Sequence, residues 1–168
     1  MTKTLAEWFK EGVRCFHKPD GPAAIMSFEK VIDTDPAYRH SDGDNPYFYL
    51  GKISEMEERL EDAIGYYSNA LSVDPHDEES LIGRGSCLSV RNEYDRAISD
   101  FEKVLDLDPN LRKVPIEHVY SAIAGNYEKK GDLINALVYG KKALEKDPLN
   151  YRFQEFLKRY EKPGKEII

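Results

Sequence analysis

The sequence predicts an all-α fold, a helical solenoid of four helix-turn-helix repeats closed by a C-terminal capping helix, and three observations carry that prediction. An Asp-Pro dipeptide recurs at Asp35-Pro36, Asp74-Pro75, Asp108-Pro109 and Asp147-Pro148, at spacings of 39, 34 and 39 residues, and a recurring period of that length marks a repeat array. A fixed step back from each proline lands on Ala24, Ala63, Ala97 and Ala136, and a longer step on Gly12, Gly51, Gly85 and Ala124. Between these small residues, Phe28, Tyr67 and Phe101 stand in register, followed by Val31, Ala70, Val104 and Ala143. Within each unit the apolar residues fall three and four apart, the period of an amphipathic helix.

The first repeat spans about 5–38. Its first helix runs from about Leu5 to His17, with Thr4 and Glu7 placed as a capping box ahead of Trp8, Phe9 and Val13. Pro19, Asp20, Gly21 and Pro22 break the chain, and a second helix carries Ala24, Met26, Phe28 and Ile32 to Pro36. So short a turn requires the two helices to pack antiparallel.

The second repeat, about 44–77, is the cleanest copy, with Tyr47, Leu50 and Gly51 on one helix and Ala63, Tyr67 and Ala70 on the next. The third and fourth cover about 78–111 and 117–150. Gly12 with Ala24, Gly51 with Ala63 and Gly85 with Ala97 are expected where paired helices cross, because a larger side chain there would push the axes apart. Trp8, Tyr47, Leu81 and Tyr120 then fill the space beyond each crossing.

After the first and third repeats the connector is five residues longer, at about 39–43 and 112–116. Pro46 and Pro115 suit the first turn of a helix, so each insertion is either a loop or an added helical turn. Arg39, His40, Arg112 and Lys113 lead these segments and stand either in plain connection or along a binding edge. Residues 149–162 read as the capping helix, with Phe153, Phe156, Leu157 and Tyr160 on one face and Arg152, Glu155, Lys158 and Arg159 on the other. Residues 1–162 thus form a single expected domain, and 163–168 a short tail.

Composition narrows the function. Of 168 residues, 40% are hydrophobic and 33% charged, and no apolar run approaches the roughly 20 residues of a membrane span, so no membrane partner is expected. The start lacks the continuous apolar centre of a secretory signal, and Cys15 and Cys87 sit apart inside helical patterns, which points to the cytoplasm. A net charge of −7 argues against nucleic acid. His17, His40, His76 and His118 are isolated, and Asp42 and Asp44 lack the bidentate Glu of a calcium loop. With no phosphate loop or nucleophile motif either, no cofactor, metal or enzymatic activity is expected.

The residues of the second unit, Tyr47, Leu50, Gly51, Ala63, Tyr67 and Pro75, resemble the 34-residue unit of the tetratricopeptide repeat family, and Trp8, Gly12, Ala24, Phe28 and Pro36 repeat the pattern. The resemblance covers nearly the whole chain. Arg84 departs from it where an apolar residue belongs, and Gly140 where an aromatic belongs. It implies an α-α superhelix whose first helices line a concave groove, and a non-catalytic scaffold or adaptor that holds a peptide or partner helix. One subset of the family grips a chaperone's C-terminal carboxylate with Lys and Asn. The matching positions here, Phe9, Val13, Tyr49, Glu79 and Gly83, do not form that clamp.

The groove so implied is lined by Phe9, Val13, Phe16, Phe48, Tyr49, Lys52, Ile82 and Ser86, with Phe48 and Tyr49 as anchors. The alternative is that its aromatics pack between repeats or against the insertion. A second functional class is a self-associating structural subunit, a homo-oligomer formed through terminal repeat surfaces. The first helix discriminates: if Trp8 and Phe9 are covered within the chain, the adaptor reading gains.

Overall fold

The computed structural model describes residues 3–18, 20–110 and 112–160. Among them nine helices follow one another: α1 (Leu5–Phe16), α2 (Gly21–Thr34), α3 (Pro46–Met56), α4 (Leu60–Val73), α5 (Glu78–Val90), α6 (Tyr94–Asp106), α7 (Ile116–Lys130), α8 (Leu133–Lys146) and α9 (Tyr151–Tyr160). The expected end of the capping helix at Lys162 and the tail at 163–168 lie outside the described residues. The chain divides into two compact units, residues 1–87 and 88–168.

Local chemistry sets the helix ends. The Thr4 N–H donates to Glu7 Oε2 (2.7 Å) and the Glu7 N–H to Thr4 Oγ1 (3.3 Å), closing the capping box of α1. The backbone hydrogen bond from Thr4 holds the Glu7 carboxyl below its ordinary range. Asn45 caps α3 by accepting from the Phe48 N–H (3.2 Å), and Pro46 takes the first helical position, where no donor is lost. Pro115 is the cap residue of α7. Both insertions are therefore loops, not added turns.

The recurring Asp also has a local cause. The Asp35 carboxylate accepts the N–H of Ala37 (3.0 Å), Asp74 that of His76 (3.0 Å), Asp108 that of Asn110 (2.9 Å) and Asp147 that of Leu149 (3.1 Å). The same Asx turn thus closes all four repeats, with a proline inside it that cannot continue a helix.

In residues 1–87, α1 packs on α2, α3 on α4, and α3 also meets α2 and α1. Phe9, Cys15, Ala24, Phe28, Val31, Tyr49, Leu50 and Ile53 form one buried cluster, and Ala63, Tyr67 and Cys87 another. Aromatic rings of the partner helix lie closest to these glycines. A Cβ on Gly12 would lie 2.7 Å from the Phe28 ring, and one on Gly51 2.7 Å from the Tyr67 ring. Each glycine clears space for the second helix's aromatic ring. Gly83 does the same from α5, where a Cβ would come within 2.5 Å of Tyr67 Cζ. The departure at Arg84 is accommodated by its Nη1 donating to Ser68 Oγ (3.0 Å).

In residues 88–168, α7 packs against α6 and α8, and α9 against α8. Ala124, Ala136, Leu137, Ala143, Phe153 and Phe156 form the buried cluster. The departure at Gly140 is resolved here, since a Cβ on Gly140 would meet the Phe153 ring at 3.0 Å. The capping helix supplies the aromatic ring that the fourth repeat lacks.

Candidate functional site

The candidate surface lies within residues 1–87, where α1 and α3 run beside one another. Val13 and Phe16 of α1 and Phe48 and Lys52 of α3 are all half-buried there. Phe16 meets the Tyr49 ring edge-on at 5.3 Å and 73°, and Phe48 meets it at 5.1 Å and 70°. Tyr49 is thus a floor joining two partly open aromatic rings on neighbouring helices. Lys52 Nζ lies 3.1 Å from Glu55 Oε2, and the same oxygen accepts the Tyr67 hydroxyl (2.7 Å). On α5, Ile82 and Ser86 are half-buried one turn apart, and the residue after each, Gly83 and Cys87, backs onto Tyr67.

Two residues expected on the groove surface are core residues instead. Phe9 is 1% exposed and Tyr49 8%. The first insertion explains Phe9, because it folds over that ring: His40 stacks on Phe9 at 4.8 Å and 23°, and Tyr38 lies 5.7 Å away. The loop is held by its own hydrogen bonds, from the His40 N–H to the Asp44 carbonyl (2.7 Å), from the Gly43 N–H to the His40 carbonyl (2.9 Å), and between the Tyr38 hydroxyl and His40 Nδ1 (3.0 Å). Gly43 turns there with φ +99°, a region that favours glycine. Arg39 fastens the loop outward by pairing with Asp74 at 2.5 Å.

Tyr49 is buried by its stacking on Phe28, at 5.1 Å and 10°, and its hydroxyl donates to Asp44 Oδ2 (2.7 Å). Burial, and then the Asp44 carboxylate, push that hydroxyl far above the ordinary tyrosine range. The expected anchor pair therefore divides, with Phe48 at the surface and Tyr49 beneath it. Sequence reasoning missed Tyr38, Asp44 and Glu55 as parts of this site. The alternation Tyr38-x-His40 in an otherwise polar insertion was the available signal for a loop that buries side chains.

Carboxylates gather at one end of the strip. Asp42, Asp44 and Glu79 all act on the Tyr49 hydroxyl. Asp77 accepts from the Ser80 N–H (3.4 Å) and the Ser80 hydroxyl (2.6 Å) at the start of α5. Burial raises the Asp77 carboxyl above its ordinary value of 3.8, with Glu79 and Asp74 adding to the effect. A raised folded-state value means the proton favours the fold. The stabilisation from holding it is full below the unfolded value and is lost as pH rises through the folded one. Asp77→Asn keeps an accepting oxygen without the charge, so it is expected to raise the unfolding midpoint at neutral pH. That gain should disappear below about pH 4, where Asp77 is protonated in both states. Thermal unfolding of both proteins across that range checks the sign.

Among the described residues no three His, Cys, Asp or Glu side chains gather to hold a metal ion. Burial pushes the Cys87 thiol up to about 11, which disfavours the nucleophilic thiolate. No helix among the described residues is long and apolar enough to cross a membrane.

A tetratricopeptide repeat family model matches residues 79–111. The chain is 27% identical over 154 residues to the DnaJ homolog subfamily C member 7 homolog of Dictyostelium discoideum, a match covering 83% of this chain and 28% of that protein. It is 33% identical over 104 residues to Tetratricopeptide repeat protein 14 of Mus musculus, covering 60% of this chain and 12% of that one. The chain therefore spans less than a third of the length of these curated relatives. Among solved structures it resembles MamA, with a TM-score of 0.73, 24% identity and coverage of 89% of this chain and 81% of that one. It also resembles YrrB, a TPR protein with an unusual peptide-binding site, with a TM-score of 0.71, 21% identity and coverage of 93% and 75%. With one tetratricopeptide repeat matched outright and the helix order of known solenoids followed over most of the chain's length, the fold is an all-α solenoid of the tetratricopeptide repeat type.

Proposed function

We propose that the protein is a non-catalytic interaction scaffold that holds a peptide or partner helix against the α1–α3 strip. The observation that carries this reading is the pair of half-open rings, Phe16 and Phe48, fixed edge-on against the buried Tyr49. Rings already held by packing lose little freedom when a partner covers them, so the area they bury goes into affinity. Phe9 and Tyr49 act as the floor, Val13 and Lys52 extend the contact surface, and Ile82 and Ser86 continue it along α5. YrrB, with the same fold, has a peptide-binding site, which supports this use of the fold.

The covering of α1 favours binding over end-to-end assembly. Phe9 is buried and the half-buried Trp8 packs against the first core cluster, so the two rings at the start of α1 are largely covered within the chain. The net charge of −7 fits a protein partner better than nucleic acid. The free, buried thiols Cys15 and Cys87 suit a reducing compartment, and we place the protein in the cytoplasm.

Affinity capture tests the reading. The wild type is expected to retain a partner that a Phe16→Ala, Phe48→Ala variant of unchanged helicity does not. Equal capture by both would reject the strip as the binding surface.

A second reading, self-association, is favoured by one observation. Ile134 and Val138, one turn apart on α8, and Leu149 and Tyr151 leading into α9 are exposed. Sedimentation of the wild type and of Ile134→Glu, Val138→Glu separates the two: a dimer lost in the variant supports self-association, and a monomer throughout removes it.

A further inference from the structure

Charge is unevenly divided along the chain. Residues 1–87 contain 17 acidic and 9 basic side chains, a net −8, whereas residues 88–168 contain 14 and 15, a net +1. The whole negative excess belongs to the part that carries the aromatic strip. Several of its cations are already paired close by: Arg14 with Glu11, Arg39 with Asp74 (2.5 Å) and Lys52 with Glu55 (3.1 Å). Each of these three cations thus has a carboxylate beside it, Lys52 of the strip included.

At the Tyr49 end the imbalance is built into the loop and the next helix start. Asp44 is fixed by the Tyr49 hydroxyl at 2.7 Å, and the Asp44 N–H donates to Asp42 Oδ1 at 3.2 Å. The Asp42 side chain is 60% exposed. Glu79, in the first turn of α5, adds its charge to the upward push on the Tyr49 hydroxyl. These carboxylates border a buried aromatic floor, where the low local dielectric strengthens their field. An acidic ligand laid on the strip would meet like charge. A neutral apolar one would cover the rings and draw nothing from the carboxylates.

Resting on the proposed use of the strip, we infer that its occupant is a cationic amphipathic segment of a partner protein. Its apolar side chains cover Phe16 and Phe48, and its Lys or Arg side chains reach Asp42 and Asp44. Charge complementarity of this kind steers encounter and fixes orientation in addition to adding affinity.

The test uses the full chain and two synthetic peptides of about fifteen residues, long enough for four helical turns. They share Leu and Phe at helical spacing and differ in carrying Lys or Glu at every other position. By fluorescence anisotropy the Lys peptide is expected to bind, to weaken as salt rises from about 50 to 500 mM, and to bind roughly tenfold more weakly to Asp42→Asn, Asp44→Asn. The Glu peptide is expected to bind at least tenfold more weakly than the Lys peptide. Equal or tighter binding of the Glu peptide would overturn the inference, as would an unchanged affinity of the Lys peptide for the acid-to-amide variant. So would failure of both peptides to bind. In each of those cases loss of partner capture by the Phe16→Ala, Phe48→Ala variant would still uphold the strip. If instead that aromatic variant binds the Lys peptide like the wild type, the strip itself is wrong.

Discussion

Tyr67→Ala is expected to lower the stability of the protein by about 3–5 kcal/mol, the usual range for removing a large buried ring. The ring is fully buried and lies between two glycines, Gly51 of its own repeat and Gly83 of the next, each close enough that a Cβ would collide with it. Two glycines cannot close over the space the ring vacates, because neither has a side chain to move into it. The hydroxyl is lost as well, leaving Glu55 without that donor. The converse change is expected to be costly too. Gly83→Ala places a methyl group 2.5 Å from Tyr67 Cζ, and overpacking of a rigid core costs about 1–3 kcal/mol. Since both changes act on one contact, the double variant should lose less than the sum of the two. Urea unfolding followed by circular dichroism measures all three, and a Tyr67→Ala cost below about 1 kcal/mol would mean the ring does not hold the repeats as described.

The second large effect is on binding. Phe16→Ala, Phe48→Ala is expected to weaken partner binding by about 2–4 kcal/mol, roughly a factor of 30 to 1,000, as removal of central aromatic anchors does. Both rings are only half-buried, so the stability cost should be smaller than that of Tyr67→Ala. Tyr49→Ala gives the contrasting result. Its ring stacks on Phe28 and its hydroxyl is bonded to Asp44, so that variant should lose stability first and binding as a consequence. Comparing titration with unfolding for the two variants separates anchor from floor.

Much of the fold is written in local chemistry and was legible in the sequence. The capping box at Thr4 and Glu7 and the helix-compatible Pro46 are read from neighbouring residues alone, and α1 ends at Phe16, within one residue of expectation. The Asp-Pro period was visible too, although its cause, the Asx turn that each Asp closes, depends on backbone geometry. Contacts between elements were harder to read. The nearest neighbours of Gly12 and Gly51 are the Phe28 and Tyr67 rings on the following helix, contacts that alignment with Ala24 and Ala63 does not reveal. Gly140 looked like a defect in the fourth repeat, yet Phe153 enters from α9 to fill it. The site shows the same limit. Phe9 sits at a groove-lining position of the pattern, but whether such a position stays open depends on where an insertion folds. No helical period describes the loop that puts His40 on it.

The proposed docking of a partner protein on the strip joining α1 and α3 is tested most directly by a nuclear magnetic resonance titration of the isotope-labelled protein with the captured partner. Val13, Phe16, Phe48 and Lys52 are expected to shift or broaden together, with the neighbouring loop carboxylates Asp42 and Asp44, while Asn69 and Ser72 of α4 stay unmoved. Perturbations centred on Asn69 and Ser72, with Phe16 and Phe48 unchanged, would contradict it.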